Sequence, residues 1–314
     1  MSSLDLLKPF TVEKPEPLIG AKTIQILLMR EVLDYTVLRT EETRELNTVA
    51  TPLSLKNSDT TIMRVAFLAT KQKAAESRQL EQLLRTATRE AGMTVTECYL
   101  KDALCLECPR CGLFGATSTE SGRADRANIK HRIEYSTAFS LLPFEDIESA
   151  TTFNAISDPN QTTGQALGSR YAVVPATVFP SIVTLRSVTM TEVILTLKTL
   201  LACKSYGAES RIGGDGRNSV FGIVGGWEEV ITPLELALEL YDQRDHLSGN
   251  AFQTTVAKYE PLTANPDRVA VFTPDQVDGI VKAAAETPLD KSLLTKAYDD
   301  VKSYGEAQRK PKKK

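Results

Sequence analysis

Four of the five cysteines in this sequence lie close together, at Cys98, Cys105, Cys108 and Cys111. Thiolates two residues apart can share one tetrahedral ion, because the turn between them points both sulfur atoms inward. The spacing predicts a structural zinc site, with Cys98 as the fourth ligand and His131 as the reserve. A set of free thiols, or a site that binds metal weakly, is the alternative. Four thiolates leave no open position for water, so this zinc would hold an insertion in place without carrying chemistry.

The N-terminal sequence lacks the basic start and apolar run of a secretory signal, and no stretch approaches the ~18 apolar residues of a membrane span. We therefore expect a soluble, cytoplasmic protein with no membrane partner, in which a disulfide cluster is not expected. The net charge is −3, and the tail Arg309–Lys314 carries five of the 37 positive charges. The remainder has 32 basic and 40 acidic residues, a balance of −8. Binding of a polyanion must then depend on local basic stripes.

The alternation of predicted strands and helices predicts an α/β or α+β fold, a sheet with long insertions between its elements. Strands are predicted at 23–29, 35–38, 61–68, 178–185 and 219–224, and strand-like composition at 132–142. Helices are predicted at 71–91, ended by Gly92, and at 192–201. Segment 154–169 is interpreted as a long loop or a hairpin arm. Later helices are predicted to begin at the capping residues Thr232 and Thr273 and near Thr287.

Four basic residues fall within roughly 40° of one line on the face of the predicted helix 71–91 opposite its apolar side. These residues are Lys71, Arg78, Arg85 and Arg89. Acidic residues of the helix lie off this line. A solvated face is the plain interpretation, and the absence of interleaved acids favours contacts with phosphates. The helix N-terminus, near Lys71 and Lys73, adds backbone amides and a favourable dipole.

A glycine-rich stretch contains Gly213 and Gly214, flanked by Arg211 and Arg217. It resembles a dinucleotide-binding loop only superficially, because a strand follows where a helix should begin. Its turn chemistry favours a hairpin turn. Closely spaced glycines also allow the backbone to approach phosphates, so both interpretations remain open.

Histidine occurs only as His131 and His246, and the sequence lacks a nucleophile elbow, a His-Glu-x-x-His pair and a phosphate loop. A small-molecule enzyme is therefore not expected. One alternative is a metal-dependent nuclease acting on single strands, with Asp125 or Asp215 holding magnesium. Another is a protein–protein adaptor with a zinc knuckle and no nucleic-acid role.

Several stretches together resemble the guide-RNA-binding backbone subunits of type I CRISPR effector complexes (Cascade), specifically subtype I-D. They occur in the order expected for that family, and only the cysteine knuckle is distinctive alone. The stretches are the knuckle at 105–115, YSTAFSL at 135–141, VFPSIVTLR at 178–186 and YGAESRIG at 206–213.

The resemblance implies an RRM-like (ferredoxin-like) palm at 21–250, with a zinc-bearing insertion near 95–130 and a β-hairpin thumb near 150–172 that carries Phe153 as the wedge residue. An irregular segment would precede it (1–20), and a helical part (251–306) and a disordered basic tail (307–314) would follow. Copies would stack along CRISPR RNA and present it for pairing with target DNA, beside other subunits that include a large nuclease. The expected RNA contacts are Lys71, Lys73, Arg78, Arg85, Arg89, Phe153, Arg211, Gly213, Gly214 and Arg217.

Overall fold

The elements are those of a computed structural model that describes residues 2–39, 45–99, 103–117, 128–157, 159, 162–208 and 213–308. The strands are β1 (Thr23–Val32), β2 (Thr48–Pro52), β3 (Thr61–Phe67), β4 (Ala116–Thr117), β5 (Asn128–Ile129), β6 (Ile133–Tyr135), β7 (Ala138–Phe139), β8 (Glu148–Ser157), β9 (Thr162–Val173), β10 (Val178–Arg186), β11 (Gly216–Gly226) and β12 (Ala270–Val271). The α-helices are α1 (Ala69–Glu90), α2 (Pro109–Phe114), α3 (Phe144–Ile147), α4 (Met190–Ala202), α5 (Pro233–Tyr241), α6 (Gly249–Ala257), α7 (Pro274–Glu286) and α8 (Lys291–Gln308). Short 3-10 helices span Ser3–Phe10, Arg244–His246, Glu260–Leu262 and Pro266–Arg268.

The central sheet has five antiparallel strands in the order β12-β11-β1-β10-β6. Strand β1 lies between β10 and β11, and Ile26 is opposite Val183 on one side and Ile223 on the other. Helix α1 lies between β1 and β6 along the chain, and α4 lies between β10 and β11. Strands and helices thus combine into the predicted α+β fold.

Helices cover both faces of this sheet. Side chains alternate along β1, so Ile24, Ile26 and Leu28 enter the core formed with α1, α4 and α7. Leu27 points the other way and packs in a second core with α5 and α6, which includes Phe252. Burial of each such side chain contributes about 1.5–3 kcal/mol. The sheet is therefore the middle layer of three.

Helix α1 is long because its apolar residues repeat at helical spacing, and Leu80, Leu84 and Ala87 are buried. It ends where the sequence predicted, since Gly92 adopts the left-handed conformation at φ 63°. The amide of Gly92 donates to the Arg89 carbonyl, and that of Met93 to the Thr88 carbonyl. This pair of bonds is a Schellman motif, which satisfies the last carbonyls of the helix.

Other helix starts follow their capping sequences. Capping boxes open α4 at Thr189, α5 at Thr232 and α7 at Thr273, which confirms the two that the sequence predicted. The final helix begins later than predicted, because the Thr287 hydroxyl donates back to the Ala283 carbonyl and ends α7. The carboxylate of Asp290 then accepts from the amide of Leu293 at the start of α8.

In the region after β1, one strand prediction was wrong and one strand was missed. Residues 35–38 form no strand and make only an isolated bridge, Thr36 to Val173. Strand β2 instead lies at 48–52, inside a segment whose polar composition gave no strand signal, and pairs with β3. Segment 154–169 belongs to the antiparallel hairpin β8–β9.

Among the described residues, no helix combines the length and apolar character required to cross a membrane.

Three buried arginines tie the layers together. Arg30 pairs with Glu76 of α1, and Arg132 pairs with Glu192 of α4. Arg64 has no carboxylate partner among the described residues, and burial lowers its pKa to about 10. Its guanidinium donates to the Thr51 hydroxyl and to the carbonyl oxygens of Leu53, Ser140 and Leu141. These bonds fasten β3 to the segments beside it.

Candidate metal centre and nucleic-acid interface

The four clustered cysteines converge on one point. Each Sγ atom lies within 4.8 Å of the others, with 3.7 Å between Cys98 and Cys111 and 4.0 Å between Cys105 and Cys111. Cys98, Cys108 and Cys111 are buried, and Cys105 is half-buried. His131 is exposed and is not part of this group. The group could therefore hold a metal ion, with Cys98 in the fourth position.

Local backbone geometry explains the convergence. The amides of Glu107 and Cys108 donate to the Cys105 sulfur at 3.4 and 3.3 Å, and the Cys111 amide donates to the Cys108 sulfur at 3.4 Å. Leu106 provides the necessary turn at φ 63°. Cys108 then caps α2, in which Pro109 is the first residue. Amide donors stabilise thiolates, which are the form that binds a metal.

Hydrogen bonding among the sulfurs also separates their acidities. The bond from the Cys108 thiol lowers the pKa of Cys105, and the same bond raises the pKa of Cys108. The carboxyl of Glu81 on α1 lies 3.8 Å from the Cys108 sulfur. Burial raises the pKa of Glu81. The side of α1 that faces the cysteines is therefore polar, although it is buried from solvent.

The last helix closes the other side of the cysteine group. Val301 and Tyr304 of α8 are fully buried in the same cluster as the sulfurs. A Cβ at Gly112 would lie 2.5 Å from the Val301 side chain, so α8 packs directly on the α2 backbone. The Tyr304 hydroxyl also donates to the Lys130 carbonyl at 3.1 Å. The cysteine segment is thus held between α1 and α8.

The basic face of α1 is less uniform than its sequence predicts. Arg78 is exposed and makes no hydrogen bond or ion pair with the described part of the chain. Arg85 donates to the Cys98 carbonyl at 2.6 Å and lies 3.7 Å from Glu97, and Arg89 lies 3.5 Å from Glu97. Periodicity within the helix could not show this, because Glu97 comes from the segment that follows. Two of the predicted cations therefore already share a carboxylate.

The glycine-rich loop is built around a buried aspartate. Asp215 accepts from the amides of Tyr206 and Gly207 at 2.9 and 2.7 Å, so its carboxylate shapes the loop and is not free in the manner of a magnesium ligand. Gly214 has φ 74° and is exposed together with Gly213. Arg217 forms an ion pair with Glu31 at the end of β1. Arg211, the flanking arginine on the other side, lies outside the described residues.

The hairpin β8–β9 occupies the region predicted as a thumb. Its backbone register places Thr152 opposite Ser169 and Phe153 opposite Gly168. The side chain of Phe153 lies outside the described residues, as does Asp125, the other magnesium ligand considered. The roles of these residues, and of the predicted cations Lys71 and Lys73 at the start of α1, stay predictions.

One charged residue of this region was missed in the sequence. Arg110 stands between Cys108 and Cys111, and its Nε donates to the Ser77 hydroxyl of α1 at 2.8 Å. The sequence signal that could have indicated a role for Arg110 is its position as a positively charged residue between two of the clustered cysteines. Lys73, which was predicted to contact RNA, lies on α1 one turn before Ser77 and therefore beside Arg110.

The fold is shared with solved structures of CRISPR proteins. A chain of a "CRISPR RNA-guided surveillance complex" has a TM-score of 0.50 at 13% identity, and a chain of a "CRISPR RNA-guided surveillance complex, pre-nicking" has a TM-score of 0.51 at 11% identity. Each alignment covers 83% of this chain and 99% of the other. The crystal structure of Thermofilum pendens Csc2 has a TM-score of 0.68 at 22% identity, covering 98% of this chain and 99% of that one.

These likenesses show that the fold of this chain is also found in CRISPR proteins of solved structure. The model of the Csc2 CRISPR family matches residues 10–309, nearly the whole chain. The chain belongs to the Csc2 family, which confirms the family resemblance predicted from its sequence. A search of curated proteins found no match.

Proposed function

We propose that this chain is a guide-RNA-binding backbone subunit of a type I-D CRISPR interference complex in the prokaryotic cytoplasm. Copies of it stack along the CRISPR RNA and leave the bases open to pair with target DNA. Its other partners are the remaining subunits of the complex, including a large nuclease subunit, and the chain itself has no catalytic role. The observation that carries this proposal is the family match across residues 10–309.

The sheet supports an RRM-like (ferredoxin-like) palm as part of this proposal. Strands β1, β6, β10 and β11 and helices α1 and α4 follow one another as strand, helix, strand, strand, helix, strand. The spatial order β11-β1-β10-β6 is the antiparallel arrangement of that fold. The cysteine segment and the hairpin β8–β9 are insertions into it, the latter serving as the thumb with Phe153 as its wedge. Because helices cover both faces of the sheet, RNA is expected along its periphery.

The metal of the cysteine group is proposed to be zinc. Four sulfur ligands with buried surroundings fit a structural zinc site, which is closed to water and supplies no Lewis-acid chemistry. The residues that would hold it are Cys98, Cys105, Cys108 and Cys111. In this role the chain's own residues shape the insertion, and the amides that point at the sulfurs orient the ligands.

Phosphate contacts are proposed at the cations predicted from the sequence. Arg78 supports this best, because it is exposed and has no carboxylate partner in the described part of the chain. Arg85, Arg89 and Arg217 would exchange a carboxylate for a phosphate on binding. Lys71, Lys73, Arg211 and the loop glycines complete the proposed set. A subunit that binds any guide sequence should contact sugar and phosphate rather than base edges.

The decisive experiment is a titration of purified protein with labelled single-stranded RNA of several sequences. We expect binding without sequence preference, weakening steeply as salt rises. Arg78→Glu should weaken binding at least about tenfold, since it replaces a favourable charge with a repulsive one. Lys282→Glu, an equal charge reversal on exposed α7, is the matched control and should bind like the wild type. Absence of RNA binding by the wild-type chain would refute the proposal, and normal binding by Arg78→Glu would remove α1 from the interface.

A further inference from the structure

Arg110 is held in a fixed position by neutral groups. Its Nε donates to the Ser77 hydroxyl at 2.8 Å and its Nη1 to the Gly115 carbonyl at 3.2 Å. The guanidinium carbon lies 6.0 Å from the centroid of the Phe114 ring. Nη2 makes no hydrogen bond with the described residues. The side chain is thus oriented, while part of its hydrogen-bonding capacity and its charge remain available.

Among the described residues, no carboxylate forms an ion pair with this guanidinium. The charge of Arg110 acts on Glu81, but Glu81 forms no ion pair with Arg110 among the described residues. Glu81 instead lies 3.4 Å from Arg85 and 3.8 Å from the Cys108 sulfur. An oriented arginine of this kind is suited to binding an external anion, because its planar donors match the oxygens of phosphate.

A second cation faces the same place. Lys73 lies one turn before Ser77 on the same side of α1, so it lies beside the arginine that Ser77 anchors. Lys73 is half-buried and has no hydrogen bond or ion pair with the described part of the chain. Burial, followed by the charge of Arg110, lowers the pKa of Lys73. Two half-buried like charges that lack an ion pair with any described acid oppose folding, and a bound anion would explain why both are retained.

We infer that Lys73 and Arg110 together bind one phosphate group, which in the assembled protein belongs to the backbone of the guide RNA. This inference rests on the proposed function and adds Arg110 to its interface. A phosphate between the two cations removes their repulsion and satisfies Nη2 of the arginine and Nζ of the lysine. Because Arg110 lies between Cys108 and Cys111, a metal on those sulfurs also fixes the backbone that presents it.

The test separates a binding role from a structural one. Lys73→Met and Arg110→Gln should each weaken RNA binding at least about tenfold, as expected for loss of a charged hydrogen bond. The slope of log affinity against log salt should fall by about 0.7 in each, the value for one single-strand phosphate. The double variant should lose little more slope than either single variant, because both side chains contact the same phosphate.

Thermal unfolding without RNA supplies the second measurement. Lys73→Met should melt at the same temperature as the wild type or higher, since it removes a like-charge contact; a structural lysine would behave in the opposite way. Lys282→Met controls for loss of a positive charge elsewhere and should bind RNA normally. Should Arg110→Gln lose its metal, Lys73→Met, which lies outside the cysteine segment, decides the question.

The outcomes distinguish this inference from the proposed function. RNA binding by the wild type together with unchanged affinity and slope in Lys73→Met overturns the Lys73–Arg110 phosphate site and leaves the proposed function intact. Failure of the wild type to bind RNA at any salt concentration overturns both.

Discussion

At the scale of single residues, the interior is unusually polar around Arg30. This side chain is 3% exposed, and its Nη1 lies 2.5 Å from Glu76, 2.8 Å from the Tyr206 hydroxyl and 2.9 Å from the Asn218 side-chain oxygen. The Tyr135 hydroxyl donates to the other oxygen of Glu76 at 2.6 Å. One carboxylate therefore compensates a buried guanidinium that joins β1 to α1.

Replacing that carboxylate should be costly. Glu76→Gln keeps the shape of the side chain but leaves the charge of Arg30 uncompensated in the core. Loss of one partner of a buried ion pair costs about 3–5 kcal/mol, which urea unfolding would measure. Glu90→Gln, at the exposed end of the same helix, is the matched control and should change stability by less than about 0.5 kcal/mol. Equal free energies of unfolding for the two variants would show that the Arg30–Glu76 ion pair does not stabilise the fold.

At the scale of secondary-structure elements, the sequence predicted the helices and strands that are specified by residues close together in the chain. Helix α1 and its end at Gly92, the capping boxes at Thr232 and Thr273, and the strands β1, β3, β10 and β11 follow from periodicity and capping chemistry. The cysteine spacing likewise predicted that the four sulfur atoms converge, and the turn at 105–108 that orients Cys105 and Cys108 is set by adjacent residues.

Features that depend on distant segments could not be read in this way. Strand β2 lies in a polar segment with no periodic strand signal, and its pairing with β3 establishes it. The carboxylate of Glu97 meets Arg85 and Arg89 only after the chain turns back beyond α1. Arg64 looks like a surface residue in sequence, yet tertiary contacts supply carbonyl partners from three separate residues. In each case the contacting residue is too far away in the sequence for hydrophobic periodicity to indicate the contact.

The contact of α2 with α8 gives a test at this scale. Gly112→Ala would place a methyl group 2.5 Å from Val301, so α8 must shift away from the cysteine segment. Overpacking of this kind costs about 1–3 kcal/mol and should lower the melting temperature. Gly168→Ala in β9 is the control, because no atom lies within 4 Å of the added Cβ. An unchanged melting temperature for Gly112→Ala would contradict direct packing of the two helices.

At the scale of the whole molecule, the cysteine group connects parts that are far apart in sequence. It contacts α1 through Glu81 and α8 through Val301 and Tyr304. Both helices also pack against α4, so the group is continuous with the main core. A metal bound there would stabilise the chain as a whole and not only its insertion.

Metal removal should therefore unfold more than a loop. Structural zinc contributes about 10–16 kcal/mol in small peptides, as much as the entire stability of many domains. We expect a chelator, or Cys98→Ser, to lower the melting temperature of the whole chain and to abolish stoichiometric zinc, as measured by elemental analysis. His131→Ala, which removes an exposed side chain outside the group, should retain both. Loss of zinc in His131→Ala would instead reinstate the histidine as a ligand.

The packing of α8 on the cysteine segment also has a consequence for the order of events during protein synthesis. About 190 residues separate Cys111 from Val301, and a ribosome adding roughly 5–20 residues per second needs on the order of 10–40 s to make them. During that interval the thiols have emerged and the helix that will cover them does not yet exist. A metal ion could thus bind to the nascent chain before α8 is made and covers the cysteine segment.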